Sequence, residues 1–532
     1  MALASLSYFW AFITFLPTLG RSAILIPCSI VCLSVFLARI TLFNKSLPPG
    51  PTLLTRLLER GTDEPLALKF ARWGRQYGDV ISLMGFVHFG KPTIVLGSLK
   101  AAQDLLEKRG NIYSSRPKNI VAEICYRESK GTLLQMGPKH RKFRSIMNAT
   151  MSVDASKQFR PLQNVESKLL LQDLILEDNT DKYRHHIQRS IHSIAFFTAY
   201  GHRMNKLGPN HLQFFTELVR FFRRTALPGR HLVDHIPSFS HLPRSLQWFR
   251  KEPDMQGEIE ERFFKNCLDQ TVTAVSKGFA VICAAARGME RQSKFKLSEL
   301  EITLLAASSY TAGVETTMGT FEAFIVAMIL NPHIMNKAQK EIDAVVGPHR
   351  MPSFEDFDTL PYIRSIVRET LRWHPSLALG VPHAVTEDDV YDGMFIPAGS
   401  TVIANIYAIT RNSELFPDPE VFRPERFLDN TDPIFKNYNI TFGFGRRICP
   451  GQHVATDQLF SLISKVLWAF SINPISGGGD HSGYRVQHPS LGQPVPLPYK
   501  LVPRSNHVRS VIMEEALIAD EEAKSWESFS VG

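Results

Sequence analysis

Cysteine is scarce in this 532-residue chain: six residues, at positions 28, 32, 125, 267, 283 and 449. They form no C-x-x-C pair and no even ladder, so neither a disulfide framework nor a zinc site is expected, and a reducing compartment fits better. Residues 52 to about 500 also lack a repeat period, a low-complexity block and a second linker, which points to one large unit. The net charge of +9 and pI near 9.1 come without any nucleic-acid recognition motif. The basic excess therefore suits an anionic membrane surface or an acidic protein partner, and no nucleic acid is expected.

Charge is absent from Leu3 to Leu19 and again from Ser22 to Ala38, with only Gly20 and Arg21 between. Each run is at the short end of the roughly 17–25 residues that a spanning helix needs, and at least one is expected to span. A cleaved signal peptide is the rival, but no Lys or Arg precedes the first run and the second would then lack an explanation. Arg39 and Lys45 follow directly and place the rest of the chain in the cytosol. Whether one helix or a hairpin forms is left open. The expected organisation is a membrane anchor over 1–47, a proline-rich hinge at 48–51, a catalytic unit over 52–503 and an acidic tail over 504–532. That tail holds Glu514, Glu515, Asp520, Glu521 and Glu522 and is expected to be solvated and weakly ordered.

Helical periodicity dominates the large unit, as in Glu166 to Leu176, Leu297 to Leu330, Tyr362 to Trp373 and Gln452 to Phe470. Strand-like runs are short: Val80 to Leu83, Thr93 to Leu96 and Thr401 to Asn405. The fold class expected is mainly α with small β-sheets.

Residues 441–451, TFGFGRRICPG, set Cys449 in a glycine-rich loop just before a helix. A helix N-terminus and the neighbouring Arg446 or Arg447 favour a thiolate there. A thiolate is a nucleophile or a metal ligand. No base or oxyanion hole is readable, and zinc or iron–sulfur ligation needs further sulfurs that are missing. A thiolate on haem iron needs no second cysteine, and an arginine fork suits a haem propionate. A loop cysteine without a role is the plain alternative.

The run Phe442-Gly443-Phe444-Gly445-Arg446-Arg447-Ile448-Cys449-Pro450-Gly451 resembles the F-x-x-G-x-R-x-C-x-G haem loop of the cytochrome P-450 superfamily at every specified position. Further signatures match in order, so the resemblance covers about residues 48–503. Glu369-Thr370-Leu371-Arg372 is similar to the family's E-x-x-R, and Pro424-Glu425-Arg426-Phe427 to its P-E-R-F; the resemblance implies a buried Glu369–Arg372–Arg426 cluster with a structural role. Within the apolar helix, Ala312-Gly313-Val314-Glu315-Thr316-Thr317 matches A-G-x-D/E-T-T, implying a groove where Thr316 steadies dioxygen and Glu315 relays protons. A solvated patch is the alternative. Arg116, Arg447 and His383 are similar to family propionate partners. The W-x-x-x-R element departs: Arg144 is in place, but His140 stands where tryptophan is usual. His140 either donates to a propionate, making haem affinity sensitive to pH near neutrality, or is an exposed helix residue.

The resemblance implies a helical prism with a small β-rich side, binding haem b (iron protoporphyrin IX) between the 302–330 helix and the Cys449 loop. It also implies a monooxygenase that inserts one atom of O2 into a C–H or C=C bond. Electrons are expected from a separate membrane-bound NADPH-cytochrome P-450 reductase, because Gly443-Phe444-Gly445 fails G-x-G-x-x-G and no length remains for a flavin module. Lys139, Arg141, Lys142 and Arg144 form its expected docking face. An endoplasmic-reticulum membrane location follows, with the catalytic unit facing the cytosol. A haem-thiolate isomerase or peroxygenase of the same fold is the alternative, as is a xenobiotic-detoxifying monooxygenase. Expected pocket walls are 120–134, 221–239, 306–310 and 377–381, mostly apolar, so the substrate is lipophilic. The stretches 228–234 and 382–389 look like those of fungal secondary-metabolism enzymes, which leaves terpenoids, polyketides and aromatics open.

Overall fold

The longest helix shows how local signals build the body. Ser298 accepts from the Glu301 N–H at 3.1 Å while Glu301 accepts from the Ser298 N–H at 2.9 Å, a reciprocal cap that starts the helix two residues after the expected Leu297. From there Glu299–Leu330 runs 32 residues with apolar side chains on every face, as a helix enclosed by others must. Its apolar stretch would suffice to cross a membrane by length, yet 78% of it is buried inside the molecule. Asn331 stops it by donating to the Ala327 carbonyl, and Pro332 opens the next helix.

This computed structural model describes residues 47–526 apart from 60–63, 85–90, 128–130, 132, 226–228, 279–281, 429 and 476–496. The expected membrane anchor lies outside the described residues. Helices that position the site are α1 (Ile120–Cys125), α2 (Pro138–Met151), α3 (Arg160–Leu176), α4 (Tyr183–Tyr200), α5 (Pro209–Thr225), α6 (Lys251–Ser276), α7 (Glu299–Leu330), α8 (Pro361–Trp373), α9 (Gln452–Ala469) and α10 (Asn506–Lys524). The central α7 packs on α4, α6, α8 and α9.

Strands are few and short. β1 (Val80–Met84), β2 (Pro92–Leu96), β3 (His383–Ala384) and β6 (Thr401–Ala404) form one sheet in the order β1-β2-β6-β3, while β4 (Asp389–Tyr391) pairs β5 (Met394–Ile396) and β7 (Phe470–Pro474) pairs β8 (Tyr499–Pro503). In the larger sheet β2 and β6 run parallel with Thr93 opposite Thr401, and the other pairings are antiparallel. Asn405, expected in the strand, instead caps the following turn and donates to the Ala67 carbonyl at 2.9 Å. Phe470, expected in the helix, opens β7. The proline stretch is laid against β1: Ser82 donates its N–H to Pro49 O at 2.9 Å and its hydroxyl to Pro48 O at 2.6 Å. A Cβ on Gly50 would lie 2.1 Å from Ser82 O, so only glycine permits that approach.

The C-terminal segment departs from expectation. Rather than a weakly ordered tail, residues 506–524 form α10, capped by Ser505, with Val508, Val511, Ile512, Ala516, Ala519 and Ala523 buried. These fall at helical spacing, and the acidic residues occupy mainly the opposite face. Glu515 is bound in turn, accepting from Lys168 at 2.6 Å and from the Met351 N–H at 3.1 Å.

Candidate active site

The cysteine loop is shaped by its glycines. Gly443 and Gly445 have φ of 86° and 57°, and a Cβ on Gly445 would sit 2.2 Å from the Leu106 carbonyl oxygen. A larger residue there meets both backbone strain and collision. Cys449 closes the loop by donating its N–H to Phe442 O at 2.8 Å, two residues before Gly451 caps α9. The thiol is half-buried. Burial pushes it up, opposed by the Gly451 N–H and the Arg144 charge. The helix terminus favours the thiolate as expected, through the Gly451 N–H, while the guanidinium that acts on the sulfur is that of Arg144 rather than Arg446 or Arg447.

The expected cations do converge. Arg447 donates to Ser114 O at 2.7 Å and Leu134 O at 2.6 Å, and Arg116 donates to Val381 O and Pro382 O, both at 2.7 Å. Arg144, on α2, donates to Ile448 O beside the cysteine. His383 donates its Nδ1–H to Tyr113 O at 2.8 Å. His140 is buried, not exposed, and its Nδ1 has no hydrogen-bond partner among the described residues.

The electrostatics of this cluster are those of cations facing one another. Burial, then the Arg447 charge, holds Arg116 well below its ordinary value, and burial with Arg144 pushes Arg447 down to about 10. Burial and Arg116 push His383 down to about 3. For His140, burial and the charges of Arg447, Arg144, Arg116 and Arg141 bring the ring down to about 4. Titration near neutrality, expected from its sequence, is therefore not supported by this geometry. No carboxylate contributes to any of these shifts. A partly buried set of arginines beside an orphaned ring nitrogen fits a group that brings its own two carboxylates.

Glu369 and Arg372 form a fully buried bidentate pair at 2.7 and 2.8 Å. Arg426 lies 3.4 Å from the same carboxylate, and the Arg423 N–H donates to it at 2.7 Å. Arg372 also holds Thr410 O and Pro419 O, and Thr441 donates to Leu371 O at 3.0 Å. The cluster thereby ties α8 to the segment leading into the cysteine loop.

Midway along α7, Ala312 is exposed and Thr316 half-buried between buried flanks, so the helix borders open space there. The Thr316 hydroxyl donates to Ala312 O at 2.9 Å, as a bent or opened helix allows. Glu315 is paired with Arg223 of α5 at 2.8 Å. Sequence reasoning missed that arginine, since nothing local links positions 92 residues apart. It also missed a second buried carboxylate, Glu166, held by Arg189 and Arg203 at 2.7 Å each. Tyr310, expected only as a pocket wall, is bonded to His192 at 2.7 Å and His211 at 2.8 Å, partners that the sequence did not suggest.

A cavity of about 420 Å³ adjoins the cation cluster, with Arg116, Asn119, Tyr126, Leu134, Lys139 and Val381 on its walls. Stretches 120–134 and 377–381 contribute as expected; among the described residues, 221–239 and 306–310 do not border it. Its lining is mainly apolar, as expected, and also includes Lys118 and Glu123. The expected docking face is also reduced: Lys139 pairs with Glu301 at 3.3 Å and Arg144 turns inward, leaving Arg141 exposed and Lys142 half-buried.

Comparison with known proteins agrees with this geometry. The family description "Cytochrome P450" matches residues 47–498. A cytochrome P450 monooxygenase of Armillaria gallica is 34% identical over 492 residues, covering 88% of this chain and 92% of that one. Cytochrome P450 monooxygenase peniB of Penicillium patulum is 33% identical over 518 residues, covering 95% and 94%. Among solved structures, a zebrafish cytochrome P450 with progesterone superposes with a TM-score of 0.70 at 21% identity, covering 83% of this chain and all of that one, which supports the fold. With the family description spanning most of its length and fungal relatives above 30% identity along nearly all of it, the chain belongs to the cytochrome P450 family.

Proposed function

We propose that this cytochrome P450 monooxygenase hydroxylates or epoxidises a lipophilic small molecule in fungal secondary metabolism, and that Cys449 is the residue whose sulfur would hold the iron of its haem b. The observation that carries the site assignment is the convergence of Arg116, Arg144 and Arg447 on the Cys449 loop beside buried His140 and His383, with no carboxylate among the groups that act on Arg116, Arg447 or the two histidines. When bound, haem supplies dioxygen activation and transfer of one oxygen atom to carbon.

The chain's own residues do the rest. Arg116, Arg144 and Arg447 would hold the two propionates, His140 would offer its unpartnered nitrogen to one of them, and His383 would wall the site beside Arg116. Phe442 and Gly443 shape the cysteine loop, Phe442 by accepting the Cys449 N–H and Gly443 by a φ that other residues resist. Thr316 holds a proton donor at its Oγ1, now directed to Ala312 O, and Glu315 supplies protons from the Arg223 side. Glu369, Arg372 and Arg426 keep the approach to the cysteine loop fixed. Electrons come from a membrane-bound NADPH-cytochrome P450 reductase, and residues 1–47 anchor the enzyme in the endoplasmic-reticulum membrane with the catalytic unit in the cytosol. Residues 52–503 are that unit, joined to the anchor through the prolines at 48–51.

Cys449→Ala tests the ligand assignment. The reduced carbon monoxide complex of the wild type is expected to show the thiolate-type Soret band and the variant to lose it. A variant with the wild-type band would refute Cys449 as ligand.

A further inference from the structure

Helix α10 lies past the residues that the family description matches, and its first turn meets the loop after the helix Pro332–Val345 through a pair of histidines. His507 places Nε2 3.0 Å from Nδ1 of His349, so one ring donates and the other accepts, with ring centres 4.8 Å apart. Both side chains are exposed, but the backbones that carry them are pinned. Two residues before His349, Gly347 O accepts from the buried Trp468 indole of α9 at 2.9 Å; two residues after it, the Met351 N–H donates to Glu515 of α10 at 3.1 Å. Arg350, between them, donates to both oxygens of Asp356 at 2.7 and 2.6 Å. Ahead of His507, Arg504 donates to both oxygens of Asp343 at 2.9 and 2.6 Å, and Ser505 accepts from the Val508 N–H at 3.1 Å.

The separation of the two nitrogens is one that a shared ion imposes. Nitrogens about 2.0–2.1 Å from one metal stand about 2.9 Å apart at a right angle and about 3.4 Å apart at a tetrahedral one. The observed 3.0 Å falls between, so turning two exposed rings on fixed backbones is the adjustment that chelation asks. Among the described residues they belong to no group of three or more potential ligands, which leaves the other positions to water. Two neutral nitrogens without a carboxylate suit copper, nickel or zinc, not magnesium or calcium. The guanidinium groups on either side, Arg350 and Arg504, each face a carboxylate of their own and so oppose a cation little. The positive end of α10 also opposes it, which favours an ion that imidazole binds strongly.

We propose that His349 and His507 form a surface site for one divalent transition ion of this kind, and that the bound ion clips the start of α10 to the body. Opening of that first turn separates the rings, so an ion held by both must lose one ligand before α10 peels back. The clip therefore secures the cover that Ala519 and Ala523 lay over Val165 and Leu169 of α3. It is independent of the haem site and of the roles assigned there.

The test titrates the haem-loaded full chain with zinc chloride by calorimetry and follows tryptic cleavage after Arg509, two residues beyond His507. The wild type is expected to bind one zinc ion at a site that His349→Asn and His507→Asn each weaken by about tenfold or more, the double variant no further, because one imidazole alone does not chelate. Both positions are exposed, so the variants keep the fold, which an unchanged circular dichroism spectrum checks. At free zinc ten times the dissociation constant, cleavage of the wild type should slow about tenfold and that of the variants should not change. Magnesium chloride should slow neither. Zinc binding equal in the wild type and both single variants overturns the site, and loss in one single variant but not the other overturns chelation. Wild-type cleavage that saturating zinc does not slow overturns the clip.

Discussion

Replacing Glu369 with Gln keeps shape and removes one charge at the most enclosed ion cluster of the site. Both side chains of the Glu369–Arg372 pair are fully buried, and Arg426, at 3.4 Å, shares the same carboxylate. The wild-type cluster already carries two cations on one anion. In the variant, two buried guanidinium groups face no anion, and breaking a buried pair from one side costs about 3–5 kcal/mol. Carbonyls of Thr410 and Pro419 still bind Arg372, which puts the expectation at the lower end, about 3 kcal/mol. Against a net stability on the order of 5–15 kcal/mol this is a large share. The loss should appear as a lower denaturant midpoint by circular dichroism, together with reduced haem loading per chain, because the cluster anchors the approach to Cys449. A Glu369→Gln protein with wild-type midpoint and full haem content would refute the reasoning.

Thr316→Ala is expected to keep the carbon monoxide spectrum and continue NADPH oxidation, with product falling and hydrogen peroxide rising; Thr317→Ala serves as control, and wild-type coupling in Thr316→Ala counts against the proton-donor role. Gly445→Ala should cut haem loading severely, since its Cβ would meet Leu106 O at 2.2 Å with φ at 57°; normal pyridine-haemochrome content contradicts this. Lys465 is buried on α9 and pushed down to about 7 by burial, so between pH 7 and 10 the unfolded chain binds a proton that the folded one lacks. Stability should rise with pH across that window by up to about 1.4 kcal/mol per unit, and Lys465→Met should flatten that rise; an unaltered slope in thermal unfolding refutes the assignment.

Much of this site was legible because its signals are local. The cysteine loop, E-x-x-R and the polar interruption at 312–317 each lie within ten residues. What stayed hidden needs distance or burial. Glu166 meets Arg189 and Arg203 from 23 and 37 residues away, and Arg223 reaches Glu315 across 92. For His140 the sequence left burial open, and the downward pull on its ring follows only once its neighbours are known to be cationic and enclosed. In α10 the acidic composition masked an apolar stripe of mostly small residues: alanines at 516, 519 and 523 carry little hydropathy yet allow close packing.

That stripe has a consequence for synthesis. Val165 and Leu169 of α3 pack with Ala519 and Ala523, which leave the ribosome about 350 residues later. At roughly 5–20 residues per second, the apolar face of α3 waits on the order of half a minute for its cover. Throughout that interval the nascent domain presents the patch to chaperones or to other unfinished chains. A product ending before residue 506 keeps it exposed permanently, whatever the state of its haem site.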